Sequence, residues 1–194
     1  RQRQMCIRDR DSGTVSDIKG GKHMPDYSYK SGKLNRSHLL HYLDTTFAAV
    51  ASSPSWYLLG KDVEDASVAL NPDTSTKKNI LDETTVEDNG YEPEFDLDTF
   101  YAKPGDALYE KLKDIMMNRL TGGACKTSVL EVIVDKTTGA YDAWMEDIIV
   151  KPQSYGGPQG GVNIPFNCTF AGNRVKGSVT FAAGVPTFAK TTEE

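Results

Sequence analysis

Carboxylates are the residues in this sequence best supplied for chemistry. From Asp62 to Asp98 twelve acidic side chains stand against only Lys77 and Lys78. Two carboxylates at the right separation make a glycosidase acid/base pair, and several converging oxygens make a calcium site. Asp96-Leu97-Asp98 offers two alternate carboxylates but lacks the glycine and terminal glutamate of an EF-hand loop. Alternate residues of a strand share a face, so these acids are expected to form a solvated side. His38 and His41 stand three apart, a spacing that could hold a metal on a helix. No third ligand lies nearby in sequence, and surface or interface histidines are expected. Cys6, Cys125 and Cys168 are odd in number and form no CxxC pair. Free thiols are expected, with a Cys125–Cys168 disulfide left open by the sequence. The glycine-rich stretch Pro152–Gly161 lacks GxxxxGK[ST] and no helix follows it, which argues against a phosphate cradle. No serine, cysteine or histidine finds both a base and an orienting partner. The sequence therefore predicts no catalytic residue, cofactor or metal.

The elements around these residues read mainly as β. Asn35–Leu43 is expected as a short helical turn, with Leu39, Leu40 and Leu43 on one face. Trp56–Leu59, bounded by Pro54 and Gly60, has the form of a buried strand. Ser67–Leu70 resembles a strand entering a turn at Asn71-Pro72, and Asn79–Val86 a weaker one. Asn89-Gly90 is a tight-turn signal, followed by an alternating run in which Tyr91, Phe95 and Leu97 share a face. One helix is predicted over Asp106–Leu120. Pro104-Gly105 breaks the chain before it, Asp106 is a natural N-cap, and Gly122-Gly123 closes it. Leu108, Leu112, Ile115 and Met116 make its core-facing stripe. Thr127–Val134 and Ala140–Lys151 are expected strands around a turn at 135–139. Asn163–Phe170 and Val175–Phe181 are expected to pair as a hairpin across 171–174. The Asn167-Cys168-Thr169 glycosylation sequon falls within a strand and reads as chance. Seventeen glycines and nine prolines suit such turn-rich architecture.

Residues 1–23 differ in character, with six basic and three acidic groups and no periodicity. They hold no aromatic residue to stack on bases, and RQRQMCIRDR resembles translated sequencing-adapter read-through. Translation from Met24 is the expectation, with a non-native or disordered extension before it and a single domain over 24–194. The whole chain carries 22 basic and 27 acidic residues; without that extension 16 and 24 remain, a net charge of −8. Such a domain repels nucleic-acid phosphates instead of binding them by counterion release. No run of about 18 apolar residues is present to make a transmembrane helix. No apolar stretch of about 7–15 residues follows the basic start, as a secretory signal would require.

The ordered set Trp56–Asp62, Leu70–Asp73, Lys77–Leu81, Gly90–Pro93, Asp106–Leu112 and Asn118–Lys126, followed by Pro152–Gly157, Ile164–Phe166 and Gly172–Gly177, resembles the tail tube proteins of siphophages infecting Gram-positive bacteria. The likeness runs from about Tyr27 to Phe188. It implies a mainly β fold: a β-sandwich or flattened barrel with one flanking α-helix, six copies forming a ring. Rings would stack around a tape measure protein and later pass double-stranded DNA, with tail terminator and distal tail proteins at the ends. The site would be a virion tail assembled in the host bacterial cytoplasm, with no membrane and no active site. Ring closure would remove exposed sheet edges, and an acidic lumen would let DNA slide. Loop character and this architecture nominate three interface segments: Tyr27–Arg36, Asn71–Asn89 and Pro152–Gly161. Their candidate residues are Tyr27, Tyr29, Arg36, Asp73, Lys77, Lys78, Glu87, Asp88 and Tyr155. The rivals are a monomeric β-sandwich module binding carbohydrate or protein, and a tube protein of a contractile tail or type VI-like machine.

Overall fold

The computed structural model describes residues 29, 31–48, 53–61, 63, 65–137 and 139–191; Cys6, Met24 and Tyr27 lie outside the described residues. Within them run β1 (Leu39–Asp44), β2 (Trp56–Leu59), β3 (Ser67–Ala69), β4 (Pro72–Lys78), β5 (Thr84–Tyr91) and β6 (Glu94–Leu97). The helix α1 (Ala107–Asn118) follows, then β7 (Lys126–Ile133), β8 (Tyr141–Pro152), β9 (Phe166–Phe170), β10 (Val175–Ala182) and β11 (Val185–Lys190). Nine strands form one antiparallel sheet in the order β2-β1-β7-β8-β9-β6-β3, with β10 also on β8 and β11 on β10. The remaining two, β4 and β5, pair with each other alone.

The sheet curls because β8 is shared. Residues 148–152 pair with β9 and residues 141–145 pair with β10, while β7 lines the opposite edge. One face of the curl encloses Leu43, Phe95, Leu97, Val129, Ile148 and Phe166, with Leu108 and Leu112 of α1 closing it. Leu40, Tyr42, Leu130, Val132, Tyr141 and Val179 form a second core on the other face. There Phe188 of β11 lies against Gly177, where an added Cβ would meet the Phe188 ring at 2.5 Å. Apolar residues on both faces of β1 and β7 thus bury a sheet that serves two cores at once.

Local signals place α1 as the sequence predicts. Asp106 Oδ1 accepts from the backbone of Leu108 at 2.9 Å and of Tyr109 at 3.0 Å, satisfying two of the orphan donors of the first turn. Its other oxygen accepts from the Tyr57 hydroxyl at 2.8 Å, tying the cap to β2. Arg119, at φ 50, ends the helix ahead of Gly122-Gly123. Met116 is partly buried beside the fully buried Leu112.

Three sequence expectations give way to long-range pairing. The stretch Asn35–Leu43 is a 3-10 turn over Arg36–His38 and then strand β1. Pairing with β2 and β7 on both edges outweighs its helical spacing. Asn89-Gly90 does not turn the chain. The register passes from Asp73↔Gly90 to Thr74↔Asp88, so Asn89 is the extra residue of a bulge and Gly90 takes φ +98. Tyr91 consequently ends β5 in an exposed position, separate from the buried Phe95 and Leu97. Finally, β9 and β10 do not pair as a hairpin. They run end to end along one edge of β8, because Ala171 N–H and Gly172 C=O bond to Asp147 at 2.7 and 3.1 Å. Cys125 and Cys168 are free and buried.

Charge secures that junction. Arg174 donates to Glu146 at 2.7 Å and to Glu131 at 2.8 Å. His41, 2% exposed, stacks on Phe95 at 4.8 Å and turns Nε2 toward Glu131 at 3.5 Å. Burial pushes the Glu131 pKa up, but His41 and Arg174 beside it hold it below the ordinary carboxylate value. A carboxylate depressed in this way adds stability above its unfolded pKa and loses it as pH falls through the folded value. Arg174→Met is expected to cost about 1–3 kcal/mol at about pH 7, less than a fully buried pair because Arg174 is 47% exposed. Urea midpoints followed down to about pH 3 should show the gap between variant and parent closing. A gap independent of pH would refute the assignment.

Candidate functional site

The pair β4–β5 stands apart from the body. It pairs from Pro72↔Tyr91 to Lys78↔Thr84, a length of roughly 20 Å at the rise of an antiparallel strand. Apart from Ser75 and Gly90 its residues are exposed on both faces, and the two strands pack chiefly on each other. At its base Asn71 and Glu92 clamp the chain through Glu92 N–H to Asn71 C=O at 3.2 Å and Asn71 Nδ2 to Glu92 C=O at 3.1 Å. At its tip the Asn79 side chain accepts from the backbone of Leu81 at 2.9 Å and of Glu83 at 3.0 Å. That turn presents Ile80 at 101% and Leu81 at 73% exposure. Two large aliphatic side chains in water are costly to a monomer, on the order of 1.5–3 kcal/mol each relative to burial.

Five of the sequence candidates lie on this arm. Lys77 and Glu87 form an exposed ion pair at 2.5 Å, which adds little to stability. Asp88 accepts from Gly90 N–H at 2.9 Å and Asp73 faces Gly90, so both belong to the bulge. Lys78 pairs with Thr84 beside the tip. The segment proposed as a loop over Asn71–Asn89 is therefore an ordered two-stranded hairpin.

Tyr155, 61% exposed, lies far from the arm in sequence but beside the end of α1. It shares a groove of about 540 Å³ with Ile115, Met116, Leu120, Arg119 and Lys151. Lys151 Nζ lies 3.3 Å from both Leu120 C=O and Cys125 Sγ, which holds the ammonium at the groove wall. A second depression of about 720 Å³ sits at the arm's base, where Val68, Leu70, Tyr91 and Phe170 rim Glu131, Glu146 and Arg174.

The N-terminal candidates divide. Tyr27 lies outside the described residues, whereas the Tyr29 hydroxyl donates to Gly32 C=O at 2.6 Å and its ring meets His38 edge-on at 5.8 Å. Arg36 is committed inside the chain, donating to Leu39 C=O at 2.5 Å and Ala66 C=O at 2.6 Å. The two histidines have separate surroundings. His38 Nδ1 accepts from Asn35 N–H at 3.2 Å, while His41 is buried against Glu131, not on the surface. Among the described residues no three His, Cys, Asp or Glu side chains converge as a metal site. Among them too, no helix is long and apolar enough to cross a membrane. The sequence did not flag Glu131, Glu146 or Arg174. Alternation with Val129 and Ile148 was the available signal, since it puts both glutamates on a core-facing side.

No protein-family model and no curated protein matches the chain. Solved structures do. The SPP1 tail tube protein superposes with a TM-score of 0.51 at 15% identity, over 74% of this chain and 78% of that one. The tail of an empty GTA particle, determined with C6 symmetry, gives 0.50 at 13% identity, over 73% of this chain and 97% of that one. Both are structural components of tails. The curled sheet with its flanking helix is thus the fold of phage tail tube proteins.

Proposed function

We propose that this chain is a tail tube subunit, its domain spanning 24–194. Six copies form a ring, rings stack around a tape measure protein, and the finished channel conducts DNA from a virion tail assembled in the bacterial cytoplasm. The β4–β5 arm carries this reading. A hairpin solvated on both faces and tipped with Ile80 and Leu81 has little to hold it in place in a lone molecule. A neighbouring copy that covered this arm would bury the two aliphatic side chains at its tip. Two further observations support the reading. The strands β2, β3 and β11 end the sheet's branches with one paired edge each among the described residues, and ring closure is a way to occupy such edges. The tail whose fold this chain shares has sixfold symmetry.

The test is polymerisation. The purified chain, concentrated and viewed by negative-stain microscopy, is expected to give hollow tubes with sixfold end views. A chain that stays monomeric at high concentration, and whose melting temperature rises with a glycan or peptide ligand, would favour a binding module instead. A tape measure gene downstream without a sheath gene would assign the tube to a non-contractile tail. Replacing Ile80 and Leu81 together by serine is expected to leave the monomer's unfolding midpoint within about 0.5 kcal/mol of the parent, as for exposed sites, while sharply reducing tube yield. Loss of monomer stability on that substitution would place the tip inside the fold and count against an assembly arm.

A further inference from the structure

We infer that the tip of the β4–β5 arm seats in the groove between the end of α1 and Tyr155 on a second copy of this chain. The inference rests on the self-assembly reading above and names the contact that reading leaves open. The tip needs an apolar acceptor, because Ile80 and Leu81 are 101% and 73% exposed and the described residues leave them uncovered. Ile115, Met116, Leu120 and Tyr155 supply one, in a space of about 540 Å³. That volume lies in the range that takes a drug-sized ligand, ample for two aliphatic side chains.

Charge selects this groove over its competitors. Asp82 and Glu83 follow the apolar tip directly, and the arm from Pro72 to Tyr91 holds five acids against Lys77 and Lys78. The groove is lined by Arg119 and Lys151, with no carboxylate among the described residues that line it. The larger depression at the arm's base is lined by Glu131 and Glu146 as well as Arg174, and repels an acidic tip. A third, of about 340 Å³, is smaller and has Arg36 as its one basic lining residue against two in the favoured groove. Tip and groove are different patches, so the contact is heterologous. Such contacts close into rings or propagate from one copy to the next, as a tube requires.

Cross-linking decides the matter. In full-length chains carrying Cys6→Ser, Ile80→Cys is made in one preparation and Ser154→Cys in another; Cys125 and Cys168 are buried. The two are tagged to differ in mass, mixed, allowed to polymerise, and treated with a short bis-maleimide. A covalent heterodimer of Ile80→Cys with Ser154→Cys is expected, at least about tenfold more abundant than with a Leu70→Cys partner at the rival depression. Tubes that form without this preference overturn the groove and leave the tube reading standing. Absence of both tubes and heterodimer overturns both.

Discussion

The whole architecture depends on β8 serving two different strands along one edge. Its C-terminal half holds β9 and the core under α1, and its N-terminal half holds β10 and the second core. The partner changes at Glu146-Asp147, where residues 171–174 step out of line. A step in a continuous edge leaves backbone groups that need partners, and Asp147 supplies them through its own amide and carbonyl. Its side chain adds a bond from Asn173 Nδ2 at 2.8 Å. Arg174 then lies over two glutamates that the curl has largely removed from water. Such a cluster is a poor source of net stability, because desolvation offsets much of the attraction. It does fix the angle between the two halves, since any other arrangement strands a carboxylate without its cation.

From that fixed angle the rest of the surface follows. The curl brings β1 opposite β6, so His41 stacks on Phe95 across the interior, and it leaves β2, β3 and β11 as outer strands. The first two are four and three residues long, short enough to give little purchase for indiscriminate pairing. The longer β11 carries Pro186, which cannot donate to a ladder. The arm is projected from the end of the chain segment that closes the sheet, through the Asn71–Glu92 clamp. The proposed assembly would use this combination: outer edges too short or interrupted to aggregate freely, and one long element free to meet a partner.

What was legible in the sequence was what local chemistry decides. Helix α1 was readable because its breaker, cap and stripe all lie within one segment. Strand β8 was readable because it alternates, and β7 because a run rich in β-branched residues leads into the turn at 135–139. Strand β1 was not, because burial on both faces removes alternation and makes Leu39-Leu40-His41-Tyr42-Leu43 look helical. Asn89-Gly90 misled because a bulge and a turn make the same demand for positive φ. The turn in fact sits at Asn79, where the asparagine side chain does the work. Strand β11 went unnoticed because its inward positions, the buried Pro186 and the partly buried Phe188, gain meaning only against Gly177 and Tyr42's side of the sheet. Tyr155 was found as a loop residue, but its neighbours Arg119 and Lys151 were not, since only the fold brings them within reach.

The charge acquires a different meaning once the acids are placed. Outside residues 1–23 the net charge is −8, and the arm from Pro72 to Tyr91 accounts for −3 of it. Glu131 and Glu146 share the single cation Arg174 within the body, which offsets one of their two charges. The acidity that suits a DNA conduit on whole-chain counting is therefore partly a property of a contact element and partly internal. In the proposed contact, an acidic arm meeting a basic groove would use opposite charges for register and partner choice, and burying it would remove the arm's charge from the solvent. The field inside the proposed tube would then be set by whichever carboxylates remain on the strands facing it. For the same reason, screening by salt should act on the arm contact before it acts on the apolar tip, so assembly and channel charge are separable properties of one sequence.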